Sequence, residues 1–224
     1  MKQIALDIAQ PPAPTLDNFV PGRNAELVVA LYSAANGSGE RFIYLWGAPG
    51  SGRTHLLRAV VDAAQADGRR AMMFDPNDAQ LDAPDDALCA VDDVDALGAA
   101  AQIALFNLHN HVHAGHGTLV ASGNAPPAQL TLRADLVTRL ASGLVYQLHG
   151  LDENEKVAAL RRHAQARGFQ LSDDIVAYLL RHAQRDLPSL LGLLDALDRH
   201  SLATRRAVTL PLVRELLDAT SKTN

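Results

Sequence analysis

The chain has 224 residues, 48% of them hydrophobic and 4% aromatic, which suits one or two globular domains with a core able to stand alone. A formal net charge of −5 and a pI near 5.9 argue against a general nucleic-acid coat, whose affinity depends on clustered Lys and Arg. No apolar run reaches the roughly 18 residues of a membrane span and no signal-peptide pattern opens the chain, so a cytoplasmic protein with no membrane partner is expected.

In chain order, residues 1–14 are short and proline-rich at Pro11, Pro12 and Pro14 and read as an extended tail able to carry a binding motif. Over residues 24–35, Leu27, Val28, Leu31 and Tyr32 recur at helical spacing, and Gly37-Ser38-Gly39 then breaks the helix. Residues 42–46, Phe-Ile-Tyr-Leu-Trp, read as a buried strand, and residues 55–61 as an amphipathic helix. Residues 70–74, 87–91, 117–121 and 144–148 predict further strands, with a helix over 99–113. Strands alternating with helices predict a parallel sheet with helices on both faces. The single cysteine, Cys89, lies in an apolar run and reads as a core residue of a reduced protein.

Past Gly150 only helical patterns remain. Asp152 and Glu155 have capping-box spacing, Ser172 opens the next helix, and Asp186 with Pro188 opens a third carrying the stripe Leu190, Leu191, Leu194 and Leu197. Thr209 and Pro211 open a last short helix. The expected division is a tail over 1–14, an α/β nucleotide-binding domain over 15–150 and a small all-helical lid over 151–224.

Between the first strand and its helix stands Gly47-Ala48-Pro49-Gly50-Ser51-Gly52-Arg53-Thr54, the layout of a phosphate-binding loop with arginine in place of lysine. Glycines let successive N–H groups turn inward on phosphate oxygens, and the helix N-terminus adds a positive dipole there. Thr54 would place its hydroxyl on Mg²⁺. Arg53 keeps the charge but swaps a compact ammonium for a planar fork, so slow or absent hydrolysis is expected. The run 87–91 ends in Asp92 and Asp93, where a dry strand could deliver Asp92 toward Mg²⁺ and Asp93 could orient a water. Ser122-Gly123-Asn124 closes the next strand, with Asn124 either sensing a terminal phosphate or serving only the turn.

Leu132, Leu136 and Leu140 form an i, i+4, i+8 stripe that leaves Arg139 on the flank or at the end of its helix, able to face outward. Such an arginine is usually a solvated residue, but in nucleotide machines it can reach a neighbour's γ-phosphate. His109, His111, His113 and His116 are crowded, yet no third ligand is compelling and a polar helix end and turn is the favoured account.

Together these residues resemble the AAA+ ATPases of the bacterial replication-initiator group, and more closely its branch of regulatory inactivators of the initiator DnaA. Residues 16–22, Leu-Asp-Asn-Phe-Val-Pro-Gly, resemble the initiator box, residues 47–54 the Walker A loop and residues 91–93 the Walker B end. Residues 122–124 fall at sensor 1 and residues 139–144 at the arginine-finger box. Arg53 is itself a feature of the inactivator branch. The tail residues Gln3, Ile4, Leu6 and Ile8 resemble the motif that docks as an extended peptide on the DNA polymerase sliding clamp. The sequence given carries no helix-turn-helix pattern after the lid, so no sequence-specific DNA binding is expected.

The resemblance implies a protein that binds ADP or ATP, with Mg²⁺ if bound at Thr54 and Asp92. It would tether to the clamp and present Arg139 to the ATP held by DnaA, with homo-oligomerisation left open. One departure is Pro188, which stands where the lid usually supplies its sensor 2 arginine; proline offers no charge, and Arg185 could substitute only from the preceding turn. Two rivals remain: a self-contained ATPase motor resembling a helicase loader, and a clamp adaptor whose cleft has no nucleotide role.

Overall fold

A computed structural model describes residues 13–74, 81–182, 187–204 and 206–221. The clamp-type motif at Gln3, Ile4, Leu6 and Ile8 lies outside the described residues, as do Arg185 and Asp186. By its contacts the chain divides into two compact units, one spanning residues 14–150 and the other beginning at Leu151.

The first unit is an α/β sandwich. Helix α1 (Ala25–Ala35) precedes strand β1 (Phe42–Trp46) and helix α2 (Arg53–Ala66); β2 (Ala71–Phe74), β3 (Leu88–Val91), α3 (Ala99–Ala114), β4 (Thr118–Gly123), α4 (Ala134–Leu140) and β5 (Leu144–Gln147) follow. All five strands run parallel in the order β2-β3-β4-β1-β5. Strand alternation divides the buried residues between two faces. Ile43 and Leu45 of β1 and Leu88 and Ala90 of β3 join Leu27, Leu31, Leu56 and Leu57 from α1 and α2. Tyr44, Cys89 and Val91 point the other way, onto Leu105, Leu108 and Leu136 from α3 and α4. Each fully buried Leu contributes about 1.5–3 kcal/mol, so both faces are secured by burial. The sheet with helices on both faces is therefore as the alternation predicts, and Cys89 is fully buried in it.

Two expectations need adjustment. Helix α4 begins at Ala134, so Leu132 precedes it and only Leu136 and Leu140 make its buried stripe. His109 is no polar helix end: with Leu105, Leu108 and Val112 it lies on the buried face of α3 and is 2% exposed. That i, i+3, i+4, i+7 face is present in the sequence and outweighs the polarity of the neighbouring histidines.

The second unit contains α5 (Glu153–Ala166), α6 (Asp173–His182), α7 (Leu187–Thr204) and α8 (Leu210–Ser221). The capping box at its entrance is formed: Glu155 N–H donates to Asp152 Oδ1 and Asp152 N–H to Glu155 Oε2, both at 2.8 Å. Leu160, Leu179, Leu190, Leu194, Leu197 and Val213 fill the interior of this unit. Asp195, mostly buried on α7, pairs with His163 at 2.5 Å and Arg167 at 2.9 Å, so the buried carboxylate of α7 is satisfied from α5. Among the described residues no helix is long and apolar enough to cross a membrane.

Candidate functional site

The carboxyl ends of β1, β3 and β4 adjoin because these strands lie in the order β3-β4-β1. Ligands of open parallel sheets bind at such ends. Trp46 closes β1 level with Gly123, the last residue of β4, and the phosphate-type loop leaves from there. Gly50 (φ 78°) and Gly52 (φ 104°) both take left-handed backbone, which side chains rarely adopt, and Gly52 caps the N-terminus of α2. A Cβ on Gly52 would also come within 3.0 Å of the Phe19 ring. Phe19 in turn lies 5.6 Å from His55, centroid to centroid, and His55 Nε2 meets the Thr15 carbonyl at 3.1 Å. Burial lowers the His55 pKa, against the opposing pull of that carbonyl. The segment before α1 thus packs beside the loop.

The loop suits an anion: it opens the fourteen-residue helix α2, and the buried Ser51 Oγ has no hydrogen-bond partner among the described residues. Thr54 Oγ1 donates to Asp92 Oδ2 at 2.6 Å, and Ser122 Oγ donates to Asp92 Oδ1. Asp92 is buried, and this pair of hard oxygen donors fits Mg²⁺ in kind. Asp93 has φ 44°, the one positive φ outside glycine among the described residues, and its N–H points back to Asp92 Oδ1 (3.1 Å) and Ser122 Oγ (3.2 Å).

Arg53 takes a position that sequence alone does not give. Its Nη1 donates to the Gly47 carbonyl at 2.6 Å and to the Gly123 carbonyl at 2.7 Å, while Nη2 pairs with Asp93 Oδ1 at 2.6 Å. One guanidinium therefore ties together the ends of all three strands. Its side chain is 11% exposed, against 41% for Asp93. Burial and the neighbouring Asp92 raise the Asp93 pKa, Arg53 pulls it back down, and Asp95 raises it further. The carboxyl expected to orient a water is thus engaged by the arginine expected to hold phosphate.

Asn124 is also committed. Its N–H and Nδ2 donate to the two carboxylate oxygens of Asp95 at 2.9 and 2.6 Å. Sequence reasoning misses Asp95; its place three residues past Asp92 on a tight turn is the available signal. Tyr44 donates from its hydroxyl to the Ala125 carbonyl at 2.8 Å, and burial with the Asp95 charge raises its pKa. Gly47, Pro49, Gly50, Ser51, Gly52, Arg53, Thr54, Asp92, Asp93 and Asn124 are thus gathered at one end of the sheet.

Arg139 is separate from this cluster. It lies in the last turn of α4, half-buried, with its guanidinium carbon 5.8 Å from the Phe106 ring centroid. Among the described residues its guanidinium makes no hydrogen bond or ion pair. It does not project wholly into solvent, as a flank position would allow. Among the same residues no group of three or more His, Cys, Asp or Glu could hold a metal, and His109 and His113 meet edge to face at 6.4 Å.

Residues 152–217 match the family model described as "Hda, lid domain". Domain III of the Thermotoga maritima replication initiation protein DnaA is similar over 92% of this chain and 96% of its own, with TM-score 0.69 and 22% identity. AMPPCP-bound DnaA from Aquifex aeolicus gives TM-score 0.68 and 22% identity over 87% of this chain and 70% of its own. A point mutant of Thermotoga maritima RuvB gives TM-score 0.63 at 15% identity, over 92% of this chain and 72% of its own. The fold is that of the AAA+ proteins.

Proposed function

Starting from an Hda/DnaA-related AAA+ protein, we propose that the chain is a negative regulator of replication initiation, which stimulates hydrolysis of DnaA-bound ATP by supplying Arg139. The observation that carries this reading is the contrast between two arginines. Arg53 is spent inside the chain on Gly47, Gly123 and Asp93, so the carboxylate that would handle water in this cleft is already paired. Arg139 has no polar partner among the described residues and stands in the last turn of α4, free to serve a phosphate outside the chain. A finger of this kind is worth on the order of 10³ to 10⁵ in rate.

In this reading the chain's own cleft holds ADP or ATP as a structural regulator. The left-handed glycines, the Ser51 hydroxyl without a partner among the described residues and the AMPPCP bound to structurally similar DnaA proteins support a nucleotide here. Mg²⁺, when bound, would supply a positive charge beside the phosphates, with Thr54 and Asp92 as its holders. Gln3, Ile4, Leu6 and Ile8 would recruit the chain to a sliding clamp, concentrating it where DnaA must be switched off.

The test is ATP hydrolysis by DnaA with clamp-loaded DNA, with and without this chain. Wild type should stimulate, Arg139→Ala should bind clamp normally and stimulate little, and the chain alone should show negligible turnover. Full stimulation by Arg139→Ala contradicts the proposal; vigorous turnover by the chain alone would instead identify a motor.

A further inference from the structure

His109 is 2% exposed, and neither ring nitrogen has a hydrogen-bond partner among the described residues. A buried polar group left unpaired is costly, so a partner beyond the described side chains is called for. The ring stacks on Phe42 at 4.4 Å between centroids and 27° between planes, which fixes its plane. On one side it borders a cavity that it shares with Arg139, Phe42, Tyr44, Leu119 and Leu140. The cavity is about 10 Å³, about the room a single water requires.

The electrostatics select the form of the ring. Burial, then the Arg139 charge from α4 and His113 from α3, push its pKa down to about 4. At neutral pH His109 therefore carries one N–H and one bare nitrogen, and the bare nitrogen can only accept. Arg139, which lines the same cavity, can only donate. A water is the species that satisfies both, since it donates to the ring and accepts from the guanidinium.

We infer that His109 is a positioning residue for Arg139, holding its guanidinium through one water in the cavity between α3, α4 and β1. This rests on the reading of Arg139 as the finger offered to DnaA. A long arginine side chain carries considerable rotamer entropy. Restraint by the His109 water together with the Phe106 face means that less of it is lost when the guanidinium meets a phosphate.

Three variants and one spectroscopic measurement test the inference. His109→Phe keeps a ring on Phe42 but removes the acceptor, and His109→Gln restores an acceptor without the ring. In DnaA hydrolysis on clamp-loaded DNA, His109→Phe should lower the maximal stimulated rate by up to roughly 10²-fold, the cost of misplacing a catalytic group by about 1 Å. The concentration of this chain giving half-maximal stimulation should not change, and His109→Gln should recover most of the rate. In ¹⁵N NMR of the free chain, His109 should be a neutral tautomer whose unprotonated nitrogen resonance moves on Arg139→Ala. A wild-type maximal rate for folded His109→Phe overturns the inference, and so does a resonance that Arg139→Ala leaves in place. If His109→Phe fails to fold, the resonance alone decides. Should Arg139→Ala leave stimulation intact, the finger reading falls and with it the role of His109 in hydrolysis, while the resonance still reports the contact itself.

Discussion

Replacing Arg53 by alanine removes a side chain that links three strand ends, and the cost can be built from its contacts. Two hydrogen bonds run to backbone carbonyls, at 2.6 Å to Gly47 and 2.7 Å to Gly123. Each contributes about 1 kcal/mol net. The ion pair to Asp93 adds less than its 2.6 Å length suggests, because that carboxylate is 41% exposed and water screens it; about 0.5–1 kcal/mol is appropriate. The sum is about 3 kcal/mol, which for a domain of this size corresponds to roughly 6–12 °C in Tm. Thermal unfolding followed by fluorescence of the one tryptophan, Trp46 at the end of β1, reads the loss in the unit that contains the site. Arg53→Lys should lose about two-thirds as much, since a single ammonium can keep one carbonyl but not span to Asp93. A midpoint for Arg53→Ala within about 1 °C of wild type, against the shift expected from those bonds, would show that the guanidinium is not held where these contacts put it.

Buried, neutral His109 makes stability pH-dependent. Its folded pKa of about 4 lies below the ordinary 6.5, so between those values the unfolded chain binds the extra proton and stability falls as pH drops. The full effect approaches about 3 kcal/mol below pH 4, and urea titrations should show a steeper slope in wild type than in His109→Phe. Asp152→Ala removes one half of the capping box on α5 and should cost the helical unit about 1 kcal/mol by circular dichroism; no change would mean that the box contributes nothing there. Cys89 is fully buried and burial pushes its thiol to about 12, so its reaction with a thiol reagent should proceed at the rate of unfolding. Fast labelling under native conditions would contradict its place in the core.

How much of this is legible in the sequence differs by kind of interaction. The loop from Gly47 to Thr54 can be read because its order of strand, glycines and helix is local, and Asp92 because an apolar run delivers it. The partners of Arg53 cannot, since Gly123 and Asp93 come beside Gly47 only through the strand order β3-β4-β1, which no local pattern encodes. Asn124 is visible as a strand-end polar residue, but its capture by Asp95 depends on the left-handed turn at Asp93. His109 misleads for a different reason. Four histidines, at 109, 111, 113 and 116, suggest a solvated helix end, whereas the apolar face set by Leu105, Leu108 and Val112 carries the first of them inside.

The proposed activity requires two separate arginines, Arg53 retained in the chain's own cleft and Arg139 to be offered to DnaA. Single-turnover hydrolysis of DnaA-bound ATP on clamp-loaded DNA, comparing wild type with Arg139→Ala at matched clamp occupancy, tests this most directly. The account predicts a loss on the order of 10³ in the stimulated rate, or a return to the basal rate where the stimulation is smaller. A stimulated rate that survives the substitution would contradict it.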